Sequence, residues 1–157
     1  MAVIRLDEYD KKIVELLQED ASISNVDLAK KIGLAPSSCL IRVKNLKETS
    51  VIKSINANVD EKLLGFEITC FAKVFMSPLN RETTSVFINE VKKIPEVIEC
   101  YTITGDAAFL LKIVAKNFQY YRDFVFDKLL CVPAVSNIDT SIVVSCEKEA
   151  NILPLDL

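Results

Sequence analysis

Six basic side chains in the first third of the chain supply the charge that binding to a phosphate backbone requires. Between residues 30 and 53 only one acid, Glu48, accompanies them, so this stretch has a net charge of +5; they are Lys30, Lys31, Arg42, Lys44, Lys47 and Lys53. The whole chain of 157 residues is acidic, with a formal net charge of −3 and a pI near 5.1. The overall charge argues against a nucleic-acid partner, but a localised basic face is typical of phosphate binding.

The third predicted helix places polar side chains where they can reach the edges of nucleic-acid bases. On a wheel of 100° per residue, one side is predicted to point inward and consists of Cys39, Leu40, Val43 and Leu46. The opposite side and its flanks carry Ser37, Ser38, Ile41, Arg42, Lys44, Asn45 and Lys47. Serine and asparagine hydrogen-bond base edges, and arginine forks onto guanine. Ile41 either covers a thymine methyl group or is a single exposed apolar residue without a role.

The chain lacks the residues on which most enzyme mechanisms depend. It has no histidine, which excludes Ser-His and Cys-His nucleophiles and histidine-containing zinc sites. Its five cysteines form no CxxC pair, so we expect reduced, buried thiols rather than a metal site or a disulfide framework; they are Cys39, Cys70, Cys100, Cys131 and Cys146. There is no P-loop or GxGxxG motif, and Asp106 and Glu99 are the only acids near the turn at Gly105. We therefore expect no enzymatic activity, no metal and no cofactor.

Three short helices are predicted to position the basic cluster. The first carries apolar residues at helical spacing from Leu6 to Leu17, and the second begins at a capping-box-like Ser24-Asn25-Val26-Asp27 and ends at Gly33. The third begins at Pro36, and an alternating segment over 51–59 predicts a short strand after it. Two short helices around a Gly-containing turn indicate a helix-turn-helix, and a three-helix bundle without a DNA role is the alternative.

The second half of the chain predicts an α+β fold in the order β-α-β-β-α-β. The strands are predicted over 66–76, 97–104, 107–115 and 135–145, with one helix ending before Pro95 and another running from Asn117 to Pro133. This order is the ferredoxin-like pattern, whose helices cover one face of the sheet. The other face is also apolar, so we expect a second copy of the chain to cover it. We place one domain at 1–60 and the other at 61–157.

Taken in order, these motifs closely resemble the leucine-responsive regulatory protein/AsnC family of bacterial and archaeal transcription regulators. The resemblance runs nearly end to end and rests on Leu6-Asp7, Ile23-Ser24-Asn25, Leu28-Ala29, Ile32-Gly33-Leu34, Arg42-Val43, Val51-Ile52, Cys100-Tyr101, Thr104-Gly105-Asp106, Tyr121-Arg122 and Thr140-Ser141-Ile142-Val143. It implies an N-terminal (winged) helix-turn-helix and a ferredoxin-like domain that pairs as dimers, which often assemble into octamers as tetramers of dimers. It also implies an amino acid bound at a subunit interface, near Thr104, Gly105, Asp106, Ala107, Ala108, Thr140, Ser141 and Ile142.

Three residues depart from the pattern of the family. Ala107-Ala108 stands where a Tyr-Asp pair is usual, so the ligand pocket is predicted to be apolar and to prefer leucine or methionine; loss of effector binding is the alternative. Ala35 replaces the usual serine N-cap of the third helix, and Ser50 replaces the usual glycine after it.

We therefore expect a cytoplasmic, nucleoid-associated regulator that binds double-stranded DNA sequence-specifically and is modulated by a small amino acid. An effector-independent, nucleoid-type protein that bridges DNA is the alternative. The predicted DNA contacts are Ser24, Asn25, Ser37, Ser38, Ile41, Arg42, Lys44, Asn45, Lys47 and Lys53. No apolar run approaches the ~18 residues of a membrane span, so we expect no membrane partner.

Overall fold

The computed structural model describes residues 4–148 and 152–155, which form two compact units. One unit comprises Met1–Asn58 together with Lys148–Leu157, and the other comprises Val59–Glu147. The sequence places the division after residue 60 and assigns the whole remainder to the second domain. In the structure the end of the chain belongs with the first unit, because Leu155 packs against its core and Gln18 hydrogen-bonds the backbone of Leu153.

The first unit contains three helices, α1 (Glu8–Glu19), α2 (Asn25–Ile32) and α3 (Pro36–Glu48). Local capping explains where they begin and end. Ser24 caps α2 by accepting a hydrogen bond from the backbone N–H of Asp27, and Gly33 ends it at a φ of 74°, a left-handed conformation that glycine adopts without strain. As the sequence predicts, Pro36 is the first residue of α3 and Ala35 provides no side-chain cap.

Two expectations for the first unit are wrong. Leu40 was assigned to the inner side of α3, but 58% of its side chain is exposed. The core takes only a narrow stripe of α3, centred on the buried Cys39 and Leu46. All of residues 51–60 are described, and none of them is in a strand. A single extended segment has no ladder partner, so alternation alone does not produce a strand.

The second unit is a four-stranded antiparallel sheet with helices, as predicted. Along the chain it contains β1 (Ile68–Met76), α4 (Arg81–Val91), β2 (Val97–Thr102), β3 (Phe109–Ala115), α5 (Phe118–Phe124), a π-helical turn (Val125–Leu129) and β4 (Val135–Ile142). The strand order is β2-β3-β1-β4, so the two central strands are the first and the third. This is the ferredoxin-like topology that the alternation of strands and helices predicts.

The two faces of this sheet differ sharply in burial. On the helix-covered face, Cys70, Ala72 and Val74 of β1 are fully buried against Leu111 of β3. On the open face, Phe71 is 38% exposed and Tyr101 of β2 is exposed. The expectation that β1 is buried on both sides is therefore not met within one chain.

The cysteines divide in the same way. Cys39 and Cys70 are buried as predicted, whereas Cys100, Cys131 and Cys146 are exposed, which corrects the expectation of core thiols at these three positions. Apolar neighbours in sequence predicted burial, but edge strands and loops carry these three residues to the surface. No helix among the described residues is both long enough and apolar enough to span a membrane.

Candidate nucleic-acid interface and ligand site

The outward face of α3 presents a polar and basic surface. Its exposed side chains are Ser37, Ser38, Ile41, Lys44, Asn45 and Lys47. Ser38, Ile41 and Asn45 are spaced three and four residues apart and so lie along one stripe of the helix. Lys44 has an ion pair with Glu48 at 3.6 Å, but both side chains are more than half exposed, so water weakens the pair. These side chains are accessible to a partner that lies along α3.

Arg42, in contrast, is held against the start of α1. Its Nη1 donates hydrogen bonds to Asp7 Oδ2 at 2.7 Å and to Asp10 Oδ1 at 2.8 Å, and its guanidinium lies over the ring of Tyr9, 5.3 Å from the centroid. The backbone N–H of Asp10 and the Arg42 guanidinium both lower the pKa of Asp7. The sequence expectation was a guanidinium that forks onto a base, whereas this one ties two helices together.

The partners of Arg42 are the functional residues that sequence reasoning missed. Asp7 and Asp10 form a capping box at the start of α1. A capping box holds two carboxylates close together at a helix N-terminus, which was the available signal. Which cation would join them depends on how α3 packs, and spacing along the chain contains no information about that.

Ser24 and Asn25 also have structural partners. The Ser24 hydroxyl donates to Asp27 Oδ2 at 2.6 Å in addition to capping α2. The side-chain amide of Asn25 donates to the carbonyl of Pro36 at 2.8 Å and so links the start of α2 to the start of α3. The Asn25 Oδ1 atom is buried and has no hydrogen-bond partner among the described residues. Ser24 therefore acts within α2 and Asn25 links α2 to α3, while Lys30, Lys31 and Lys53 remain exposed.

The turn expected to bind a ligand divides into an exposed part and a buried part. Thr104, Gly105 and Asp106 are exposed, and Gly105 has a φ of 117°. Ala107 and Ala108 are buried, and the Ala108 N–H donates to the carbonyl of Val74 at 2.9 Å. The Asp106 carboxylate accepts a hydrogen bond from the backbone N–H of Ala107 at 3.0 Å. Asp106 is therefore the exposed acidic group of this turn.

The second part of the predicted ligand site lies on β4. Thr140 pairs with Ala72 on β1, Ser141 with Phe71 and Ile142 with Cys70. The Thr140 hydroxyl is hydrogen-bonded to the hydroxyl of Tyr121 at 2.5 Å, and burial raises the pKa of Tyr121 to about 12. Thr140 is therefore already bonded on the helix side of the sheet, whereas Ser141 lies on the open face.

Within one chain the two parts of this site do not come together. The turn at 104–108 leads into β3, which pairs with one edge of β1, and β4 pairs with the opposite edge. Strand β1 therefore separates them, with about 5 Å between each pair of neighbouring strands.

Comparison with known proteins assigns both units to one family. Residues 6–53 match the family model for a winged helix-turn-helix DNA-binding domain, and residues 69–153 match the Lrp/AsnC ligand-binding domain. The transcriptional regulator AzlB of Bacillus subtilis is 54% identical over 153 residues, which cover 98% of each chain. The leucine-responsive regulatory protein of Escherichia coli K12 is 32% identical over 146 residues, covering 93% of this chain and 89% of that protein.

A solved structure of a complex with L-Met has the same fold. The crystal structure of a transcriptional regulator from Neisseria meningitidis in complex with L-Met superposes with a TM-score of 0.92 at 30% identity, covering 97% of this chain and 98% of that one. The chain belongs to the Lrp/AsnC family of DNA-binding transcription regulators, in which a helix-turn-helix is joined to a ligand-binding domain. The family is not enzymatic.

Proposed function

We propose that the chain binds double-stranded DNA sequence-specifically, with α3 in the major groove. The observation that carries this proposal is the exposed polar and basic face of α3 within an otherwise acidic protein. The side chains assigned to base edges are Ser37, Ser38, Ile41 and Asn45, and those assigned to phosphates are Lys44, Lys47 and Lys53. Asn25 and Arg42, which bond α3 to α2 and to α1, keep α3 in the orientation that this contact needs, and Ser24 caps α2.

A homodimer formed through the open face of the sheet is the second part of the proposal. It is supported by Phe71 of β1 and Tyr101 of β2, which lie on this face on either side of β3 and are exposed among the described residues. A two-fold dimer presents two copies of α3 and requires an inverted repeat whose half-sites are about one helical turn apart. Tetramers of such dimers would form the octamer that the family resemblance implies, and a nucleoid-associated, cytoplasmic location follows from the DNA partner.

Leucine or methionine is the proposed effector, bound between subunits and acting on assembly or on DNA affinity. Two observations support an apolar amino acid. Ala107 and Ala108 leave Asp106 as the acid of the turn, and the N. meningitidis relative is described as an L-Met complex. Backbone N–H groups beside Gly105 are suitable donors for the carboxylate of such a ligand.

The DNA proposal is tested by selecting a duplex from a random pool and measuring its affinity by fluorescence anisotropy. Asn45→Ala is expected to reduce the preference for the selected duplex over random DNA, because it removes a base contact worth about 1–3 kcal/mol. Lys53→Ala is expected to weaken binding to both duplexes alike. Equal losses on selected and random DNA for both variants would refute the assignment of α3 to base reading.

The effector proposal is tested by calorimetric titration of the full chain with each of the twenty amino acids, followed by mass measurement in solution. Heat of binding and a change in assembly with leucine or methionine are expected. If none of the twenty amino acids gives heat of binding, effector control is refuted and the DNA-bridging function is favoured.

A further inference from the structure

The segment that precedes α1 runs beside the proposed recognition face. Ile4, Arg5 and Leu6 line one side of a groove with a volume of about 520 Å³, and Ser38, Ile41 and Asn45 of α3 are among the residues on the other side. These three residues of α3 form the stripe that the proposed function assigns to base edges. Any duplex that lies along this stripe therefore also passes the side chain of Arg5.

The charges around this groove need a further cation if DNA is to bind there. Asp7 and Asp10 share one guanidinium, that of Arg42, so the three groups together carry a net charge of −1. Asp10 and Arg42 themselves line the groove. Phosphate groups that approach this corner are repelled by the excess acid unless a neighbouring positive charge offsets it.

Arg5 is placed to supply that charge. Its side chain is exposed, and it has no ion-pair partner among the residues that the structure describes. Arg42 has the opposite character, because two carboxylates and an aromatic ring hold it. A guanidinium without a protein partner can turn its full set of N–H donors toward a phosphate, a geometry that arginine suits well.

We propose that Arg5 binds a DNA phosphate at the edge of the major groove that α3 enters. The inference rests on the proposed DNA-binding function and adds to it a residue that the sequence analysis did not include. It moves the arginine contact with DNA from Arg42 on α3 to the segment before α1. Because phosphate contacts position a protein without reading sequence, Arg5 contributes affinity and register rather than base preference.

The test measures DNA affinity of the full chain over a series of salt concentrations for wild type, Arg5→Ala, Arg5→Lys and Lys12→Ala. Lys12 is the matched control, because it is an exposed cation two residues beyond Asp10, on the opposite side of α1. Losing one phosphate contact makes the negative slope of log K against log salt less steep by about 0.9. At 0.1 M salt this corresponds to DNA binding that is about 8-fold weaker. Arg5→Ala is expected to show both changes on selected and random DNA alike.

The remaining variants and the thermal midpoint distinguish the loss of a positive charge that contacts DNA from a loss of protein stability. Arg5→Lys is expected to keep the wild-type slope, and Lys12→Ala to change affinity by less than about 2-fold. The thermal midpoint of Arg5→Ala is expected to equal that of the wild type, since this side chain has no ion pair with any residue that the structure describes. If Arg5→Ala matches Lys12→Ala while the wild type binds DNA, the Arg5 contact is refuted and the proposed function survives. If the wild type binds no duplex at any salt concentration, both are refuted.

Discussion

Replacing Arg42 by methionine distinguishes a side chain that ties two helices together from one that reads DNA. Methionine keeps most of the aliphatic stem and removes the guanidinium, so the packing of α3 changes little. The variant loses the hydrogen bond to Asp10, whose side chain is 20% exposed against 31% for Arg42, and the stacking on Tyr9. It also loses the hydrogen bond to Asp7, but this pair adds little to stability because the Asp7 side chain is exposed and water screens the charges.

The expected loss of stability follows from the two remaining contacts. A partly exposed ion pair with a charged hydrogen bond contributes about 1 kcal/mol, and a cation–π contact adds about 0.5–1 kcal/mol. Arg42→Met should therefore destabilise the first unit by about 1.5–2 kcal/mol. Lys44→Met is the matched control on the same helix, and its exposed pair with Glu48 predicts a loss below about 0.5 kcal/mol.

The assay combines denaturant unfolding with anisotropy on the full chain. We expect Arg42→Met to shift the unfolding transition of the first unit and to keep the wild-type ratio of affinities for selected and random DNA, once affinity is corrected for the folded fraction. An unchanged transition together with a loss of base preference would refute the structural role and restore Arg42 as a base contact.

Three further predictions concern strain, charge and assembly. Ser50 has a φ of 60°, a left-handed conformation that costs a non-glycine residue about 1–2 kcal/mol. Glycine relieves this strain but costs about 0.4–1 kcal/mol of stability because it gives the unfolded chain more conformational entropy. Ser50→Gly should therefore stabilise the chain by about 0.5–1 kcal/mol in thermal unfolding, and a lower midpoint would contradict this. Glu96 is only 7% exposed, and although burial alone would raise its pKa, hydrogen bonds from Lys128 and Tyr120 lower it below 4.5. The contribution of the Glu96 carboxylate to the free energy of unfolding is present above about pH 4.5 and is lost as the pH falls through the lowered pKa. Glu96→Gln should therefore lower the free energy of unfolding by about 1–2 kcal/mol at pH 7, and wild type and variant should become equally stable in acid. A difference in stability that does not depend on pH would exclude this. Phe71→Glu should halve the dimer mass in light scattering, whereas Leu79→Glu, in the exposed loop before α4, should not; equal masses for both variants would argue against the open face as the dimer interface.

Many features of the fold could be predicted because they depend on neighbours in sequence. The Ser24 cap, the left-handed Gly33 and the first-turn Pro36 are decided within four residues, and all three are present as predicted. The order of strands and helices in the second unit follows from a change in hydrophobic period, and the ferredoxin-like topology confirms it. Only the ends of the strands differ, by two or three residues, because pairing rather than composition ends a strand.

Predictions about single side chains on α3 depended on a symmetrical helix wheel, and packing is not symmetrical. The wheel predicts that Leu40 is buried, but α1 and α2 cover only the side of α3 that carries Cys39 and Leu46. The wheel also left Arg42 at a flank with no partner. A sequence indicates which face of a helix is apolar, but not how much of that face its neighbours will cover.

Composition and local pattern thus determined the class of fold and the location of the basic helix, and the resemblance of the motifs to a known family indicated the family. Tertiary structure alone decided which charges on that helix remain available. Asp7 and Asp10 lie 35 and 32 residues before Arg42, and only the packing of α1 on α3 brings them within 2.8 Å of it. Helical period and capping act over about four residues, whereas an ion pair between helices depends on the three-dimensional path of the chain. Net charge likewise contains no information about packing, so the acidity of the chain did not indicate that Arg5 is exposed and has no ion-pair partner among the described residues.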